Sequence, residues 1–220
     1  MTLWLPTSRQ LLPPQRILDN ANMASLPEAA QALHTAVRNA DIVKVRETLA
    51  SHAIKSLDQP LLNVGTPLHS AIELGHIAIV DALLAAGADI EVLAPDSTGE
   101  PLDTALSLAI RLKQRGIAKR LWEAGATRWF ESIGRGITAL ELAASCGPAE
   151  MVGDLLSWSG GWDRPALVSA LWHAAVRWDA DAIQVLLENE NYAQADLENA
   201  LVAGARPKPF DPSSLEWDGK

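Results

Sequence analysis

Apolar residues recur at helical spacing in residues 65–91, GTPLHSAIELGHIAIVDALLAAGADIE. A first apolar stripe comprises Leu68, Ala71 and Ile72, and a second comprises Ile79, Val80, Leu83 and Leu84. Each stripe has the period of one helix face, so the segment predicts two short amphipathic helices. Thr66 followed by Pro67 indicates a helix start, because threonine caps a helix and proline suits its first turn. Gly75 separates the two predicted helices, and Gly87 ends the second.

The same apolar pattern returns four more times along the chain. Thr104 and Thr138 open close copies of the segment that begins at Thr66, while Gln31 and Ser169 open weaker copies. The five starting positions are separated by 35, 38, 34 and 31 residues. A pattern that recurs at such intervals is typical of a protein built from stacked supersecondary units. The sequence therefore predicts five consecutive pairs of helices.

The segment 65–91 resembles an ankyrin repeat, because the family's TPLH, GH, LL and GAD elements occur in it in order. The separations scatter around the 33-residue period of that family. The resemblance implies an all-α ankyrin-repeat solenoid of about five helix-turn-helix units, followed by a C-terminal capping helix at 195–205. It assigns residues 26–206 to the repeat domain. Residues 1–25 are then an N-terminal extension and residues 207–220 a C-terminal tail.

Equivalent small and apolar residues are expected to form the core between neighbouring units. The small ones are Ala36, Ala71, Ala109, Ala143 and Ala174. The leucine pairs of the second helices fill the remaining space, so replacing Leu84 or Leu156 with alanine should cost about 2–5 kcal/mol. Trp122 stands in the place of Leu84, and we expect it to pack in the core. Residues 57–64 and 94–103, rich in proline and polar residues, are expected to be loops.

Charge and cysteine content narrow the classes of function. The chain has 18 Lys and Arg against 27 Asp and Glu, a formal charge of −9, which disfavours nucleic acid and favours a basic partner. The single Cys146 excludes an internal disulfide and any multi-cysteine zinc site. No apolar run approaches the roughly 20 residues that span a bilayer, and residues 1–14 lack a signal-peptide apolar region. We therefore expect a cytoplasmic or nuclear protein without membrane contact.

The resemblance implies that a protein or peptide partner binds the concave side, at the turn tips and at the ends of the first helices. The candidate partner-binding residues are Glu73, Arg111, Trp129, Arg135, Trp162, Asp163, Arg177 and Trp178. Eight of the eleven aromatic residues are tryptophan. For Trp158, Trp162 and Trp178 two roles remain open, namely packing against a neighbouring unit and an exposed aromatic binding patch. The predicted function is an interaction scaffold or adaptor; a structural or inhibitory subunit is a weaker reading.

A less favoured alternative is an unusual enzyme, an isomerase or cyclase that uses a tryptophan-lined concave pocket for an apolar small molecule. Its candidate catalytic residues are Asp163, His173, Arg177 and Asp179. By the same resemblance, His34 and His69 match the histidine of TPLH, which braces the turns through hydrogen bonds. No further histidine or cysteine stands at ligand spacing, so neither a metal site nor a cofactor is expected.

Overall fold

The computed structural model describes residues 28–51, 57–58, 65–95, 101–132, 135–189 and 192–204. The predicted N-terminal extension and C-terminal tail therefore lie outside the described residues. The chain divides into two compact units, residues 1–139 and residues 140–220. They are called the N-terminal unit and the C-terminal unit, and each is described by itself.

The N-terminal unit contains three helical pairs in its described part. Its helices are α1 (Glu28–Arg38), α2 (Ile42–Ala50), α3 (Pro67–Glu73), α4 (Ile77–Ala85), α5 (Ala105–Arg111) and α6 (Arg115–Glu123). The first helices α1, α3 and α5 pack against one another in a row, and the second helices α2, α4 and α6 form a parallel row. This stacking buries the alanines at the equivalent position: Ala36 is 3 % exposed, and Ala71 and Ala109 are fully buried. A small side chain there lets neighbouring helices approach closely.

Thr66 and Thr104 begin their helices in the same way. Both have φ −76° and ψ 167°, the extended conformation of a residue that caps a helix. The Thr66 hydroxyl accepts from the backbone N–H of His69 at 3.4 Å, and the Thr104 hydroxyl accepts from that of Ser107 at 3.3 Å. Thr138 also directly precedes a helix. Thr66 and Thr104 therefore cap their helices in the same way, and Thr138 occupies the corresponding place before the next first helix.

Two short hairpins precede the helices that follow Thr104 and Thr138. Strands β1 (Ala94–Pro95) and β2 (Pro101–Asp103) pair antiparallel, as do β3 (Trp129–Ser132) and β4 (Arg135–Thr138). The expectation of a wholly irregular loop at 94–103 was therefore wrong at its two ends. Strands this short carry too few residues for an alternation of period two to be visible in the sequence.

The position two residues before a second helix adopts left-handed backbone in four of the five pairs. These residues and their φ angles are Ala40 (56°), Gly75 (73°), Lys113 (60°) and Trp178 (59°). Only glycine adopts this conformation without strain. The common geometry at Ala40, Lys113 and Trp178 shows that the turn between paired helices is imposed by the surrounding packing.

The C-terminal unit contains two further pairs and one additional helix among its described residues. These helices are α7 (Ala139–Cys146), α8 (Ala149–Trp158), α9 (Arg164–Arg177), α10 (Ala180–Asn189) and α11 (Gln194–Gly204). Helix α8 packs against α10, and α9 packs against α10 and α11. Helix α9 begins five residues before Ser169, because Asp163 and Pro165 supply a helix start there. Helix α11 lies where the sequence predicts a helix at 195–205.

Only the first leucine of each predicted leucine pair is fully buried. Leu83 and Leu155 are 0 % exposed, whereas Leu84 and Leu156 are partly exposed. Trp122 stands in the place of Leu84 and is likewise partly exposed. The expectation that Leu84, Leu156 and Trp122 lie in the core was therefore wrong. The preceding leucine of each pair is the core residue, namely Leu83, Leu155 and Leu121. A period of 3.6 places both members of a pair near one face, and only the packing decides which one points inward.

Candidate functional site

Strand β3 presents Trp129 on the surface of the hairpin formed by β3 and β4. Trp129 pairs with Thr138 and Phe130 with Ile137. Because successive side chains point to opposite faces of a strand, Phe130 is 4 % exposed while Trp129 is 59 % exposed. The indole of Trp129 lies against Gly136 on the facing strand. Trp129 is thus an exposed aromatic side chain with a defined seat.

Hydrogen bonds fix the base of this hairpin. Glu91 accepts from the backbone N–H of Thr127 at 2.8 Å and from its hydroxyl at 2.7 Å. The backbone N–H of Ala139 donates to the carbonyl of Arg128 at 2.8 Å. The sequence offered no sign of the role of Glu91, since 36 residues separate it from Thr127. These contacts limit the freedom of Trp129 at the end of the hairpin.

A cation–π contact lies beside the hairpin. The guanidinium carbon of Arg128 lies 5.1 Å from the centre of the Trp122 ring, within the usual range for such a contact. Arg128 therefore covers part of the face of Trp122, which explains how a tryptophan is accommodated at a partly exposed position.

The other candidates of the N-terminal unit lie at the end of a first helix or on β4. Arg111 ends α5 and forms an ion pair of 3.2 Å with Asp103; their side chains are 49 % and 17 % exposed. The same carboxylate accepts from the Ser107 hydroxyl at 2.9 Å. Glu73 ends α3 and is half-buried. Arg135 begins β4 opposite Ser132, and its side chain lies outside the described part.

His69 connects the start of α3 with the next pair. Its Nδ1 accepts from the backbone N–H of Thr66 at 3.3 Å and lies 2.8 Å from the Thr66 hydroxyl oxygen. Burial lowers the pKa of His69 to about 4, and Asp103, through its backbone and its charge, acts more weakly in the opposite direction. This neutral histidine braces the turn, as predicted.

In the C-terminal unit, Trp162 and Trp178 differ in their surroundings. The indole N–H of Trp162 donates to the carbonyl of Leu155 at 3.1 Å, and the side chain is partly buried. Trp178 follows α9 in left-handed backbone and is 49 % exposed. Asp163 holds the N-cap position of α9 and is exposed. Trp162 therefore contributes to packing, whereas Trp178 offers an accessible aromatic surface.

Arg177 uses its guanidinium for contacts within the C-terminal unit. Its Nη1 donates to the carbonyls of Ala144 at 3.0 Å and Gly147 at 2.9 Å. Its Nη2 lies 3.4 Å from a carboxylate oxygen of Asp179. The two carbonyls belong to the C-terminal end of α7 and the turn after it, where backbone acceptors need partners and a positive charge is favourable. Arg177 thus ties α9 to the end of α7.

The four residues considered for catalysis are partly brought together. Arg177 contacts Asp179, which also accepts from the backbone N–H of Ala182 at 3.0 Å and so caps α10. His173 lies edge-to-face with Trp172, with ring centres 5.1 Å apart. Two surface grooves among the described residues are lined by residues of α1, of the α1–α2 turn, of α2, and of α4 and its C-terminal end. Neither groove contains any of these four residues.

Two other kinds of feature are absent from the described ranges. No group of three or more His, Cys, Asp or Glu side chains there could hold a metal ion. None of the helices in that part of the chain has the length and apolarity needed to cross a bilayer.

The helical pairs of the N-terminal unit, stacked in two rows, and the hairpins ahead of α5 and α7 define a helical-repeat fold of the ankyrin class. A family model described as ankyrin repeats (3 copies) matches residues 9–94. The crystal structure of the ankyrin repeat domain of Bcl-3, described as a unique member of the IkappaB protein family, is similar with a TM-score of 0.59 at 24 % sequence identity. That match covers 74 % of this chain and 73 % of the other. No curated protein matches this sequence.

The predicted all-α ankyrin-repeat solenoid class is therefore confirmed, and residues 9–94 match the ankyrin-repeat family itself. At 24 % identity, the similarity to the Bcl-3 domain shows the fold alone. Ankyrin repeats are in general protein–protein interaction modules, and they bind protein partners. A repeat fold does not by itself determine which residues of a given chain bind a partner.

Proposed function

We propose that this chain is an interaction scaffold or adaptor that binds a protein or peptide partner on its concave side, in the cytoplasm or nucleus. The N-terminal unit would contribute Glu73, Arg111, Trp129 and Arg135 to binding, and the C-terminal unit would contribute Trp162, Asp163, Arg177 and Trp178. The net charge of −9 favours a partner with a basic surface.

The observation that supports this proposal most is the exposure of Trp129 on a well-fixed hairpin. Tryptophan is among the residues that contribute most to protein interfaces, because its large apolar ring is buried on binding. In the unbound chain the exposed indole of Trp129 gains no such burial. Since Glu91 ties the hairpin base and Gly136 seats the ring, little side-chain entropy remains to be lost when a partner binds.

The remaining candidates have secondary parts in this proposal. Arg111 is half-exposed beside Asp103 and could exchange that carboxylate for one of the partner. Trp178 offers a second aromatic surface, in the C-terminal unit. Arg177 and Trp162 already make internal hydrogen bonds. Their main part in this proposal is therefore to hold neighbouring residues in place, and direct contact with the partner is secondary. The two grooves described above contain none of the residues of the enzyme alternative.

The test is to purify the full chain with its companion from the native source and then measure the affinity of the two isolated proteins by calorimetry. Trp129→Ala should weaken binding by about tenfold or more, a loss typical of an interface hot spot. Val43→Ala is the matched control, because Val43 is apolar and 64 % exposed on α2 but lies outside the proposed surface.

Two results would contradict the proposal. The first is an affinity of Trp129→Ala equal to that of the unaltered chain. The second is equal weakening by Val43→Ala. Thermal unfolding of each variant separates a binding effect from a folding effect, since a hot-spot residue changes affinity at a nearly constant melting temperature.

A further inference from the structure

The last helix leaves exposed a residue whose equivalents in all five preceding first helices are buried. Aligning α11 on α3 places Leu197, Ala200 and Gly204 at the positions of Leu68, Ala71 and Gly75. Leu201 then stands at the position of Val37, Ile72, Ile110, Ala144 and Ala175. The first four are 0 % exposed and Ala175 is 6 % exposed, whereas Leu201 is 72 % exposed. Helix α11 thus has the sequence of an inner first helix at a position where nothing described covers it.

The side of α11 that faces the preceding helical pair is buried. Helix α11 packs on α9, and Ala200 is 8 % exposed. Val202, at the position of Glu73, adds a second apolar side chain that is 64 % exposed. On α10, Leu187 is 44 % exposed, although its equivalents Leu84 and Leu156 are less exposed. The end of a repeat array usually carries a polar outer face, and here it carries apolar side chains.

Charge indicates which kind of helix would cover this end. Residues 140–204 contain ten Asp and Glu but only two Arg and no Lys, a formal charge of −8 out of −9 for the whole chain. Both arginines pair internally, Arg177 with Asp179 and Arg164 with Asp196 at 2.6 Å. A second copy of the chain would bring two units of charge −8 together, which like-charge repulsion disfavours.

We propose that the exposed end of α11, centred on Leu201 and Val202, binds an amphipathic helix with a basic polar face, supplied by another protein. The apolar face of that helix would cover Leu201 as a following repeat covers Ile72, and its Lys and Arg would face the acidic C-terminal unit. Val202 stands at the position of Glu73, but neither Leu201 nor Val202 is among the residues of the function proposed above, so this proposal goes beyond that function and does not depend on it.

The probe is a synthetic peptide of about 18 leucine and lysine residues with leucine at i, i+3, i+4 and i+7. Its affinity for the full chain is measured by calorimetry at roughly 50 mM and roughly 300 mM salt. We expect Leu201→Glu to weaken binding at least about tenfold and higher salt to weaken it further. Val202→Glu is a second variant with the same expected direction. Both residues are exposed, so neither substitution should unfold the chain.

Val43→Glu is the matched control, since it introduces the same charge at a residue of 64 % exposure, equal to that of Val202. It should bind the peptide as the unaltered chain does, and so should Trp129→Ala, which tests the separate concave-side proposal. A peptide with glutamate in place of lysine should not bind measurably.

Four results would overturn the inference. They are unchanged binding by Leu201→Glu and Val202→Glu, equal binding of the glutamate peptide, self-association in sedimentation that Leu201→Glu abolishes, and peptide binding that requires removal of residues 205–220. The third would identify a second copy as the occupant, and the fourth would identify the chain's own C-terminal segment.

Discussion

The ring of Trp129 lies so close to the backbone of Gly136 that a Cβ atom at position 136 would stand 2.6 Å from Cζ3 and 2.8 Å from Cε3 of the indole. Separations this short do not occur between unstrained atoms. Glycine at position 136 therefore lets the tryptophan lie flat on the facing strand, where a larger residue would displace it. The position of Trp129, the most exposed aromatic side chain among the described residues, thus depends on a glycine seven positions away.

Gly136→Ala should lower the free energy of unfolding by about 1–3 kcal/mol, as overpacking does. In a Trp129→Ala background the same substitution should cost much less, because the ring that it displaces is gone. A double-mutant cycle from urea unfolding measures this coupling. If the two effects simply add, the contact between ring and backbone has no energetic importance.

The two leucines of a pair should respond differently to truncation. Leu83→Ala should cost about 2–5 kcal/mol because it leaves a cavity in the core. Leu84→Ala should cost less than half as much, since its side chain is partly exposed. Unfolding in urea of the two variants gives the comparison directly. A larger loss for Leu84→Ala would reverse the assignment of which leucine points inward.

At the left-handed turn position, introducing a glycine and removing one should have opposite effects on the free energy of unfolding. Lys113→Gly should stabilise the chain by about 0.5–1 kcal/mol, because it removes the strain of φ 60°. Gly75→Ala should destabilise it by about 1–2 kcal/mol. A Cβ at Gly75 would meet only the Gln114 side chain, at 3.6 Å, so this cost is conformational. Thermal unfolding tests both, and destabilisation by Lys113→Gly would show that the lysine side chain contributes more than the strain costs.

Stability should fall as the pH is lowered from 6.5 towards 4. Burial lowers the pKa of His69 to about 4 from the ordinary value of 6.5, so the unfolded chain binds a proton in this range that the folded chain does not. The loss due to His69 alone would reach about 3 kcal/mol. His69→Gln should remove this contribution and flatten the profile. Carboxylates titrate in both proteins, so the difference between the two pH profiles is the quantity to measure, and parallel profiles would refute the assignment.

Arg177 should be required for stability. Arg177→Ala leaves the carbonyls of Ala144 and Gly147 without this donor and should cost about 1–3 kcal/mol. Arg164→Ala is the matched control in the same unit: its pair with Asp196 involves a side chain that is 61 % exposed, and its loss should cost less than about 1 kcal/mol. If Arg177→Ala is as stable as the unaltered chain, the internal contacts of Arg177 do not stabilise the fold, and a direct role in partner binding becomes the better explanation of this residue.

The helical pairs and their register could be read from local signals. Thr66-Pro67 favours a helix start, because the hydroxyl satisfies a backbone donor and the ring fixes φ. Apolar residues at helical spacing mark a buried face in the same way. These are properties of a few neighbouring residues, and they sufficed for Thr66, Thr104 and Thr138. They failed at Ser169, where the helix start at Asp163 lies six residues earlier.

The tertiary structure decided which side chains remain available to a partner. Trp129 and Trp162 look alike in the sequence, yet one is exposed on a hairpin and the other donates to Leu155. Leu201 carries the pattern of a buried residue and is exposed, because burial depends on what lies next to a helix and not on the helix itself. Periodicity thus determined the helices and their order. Contacts between residues some thirty positions apart, as between Glu91 and Thr127, determined the surface, and no local pattern encodes them.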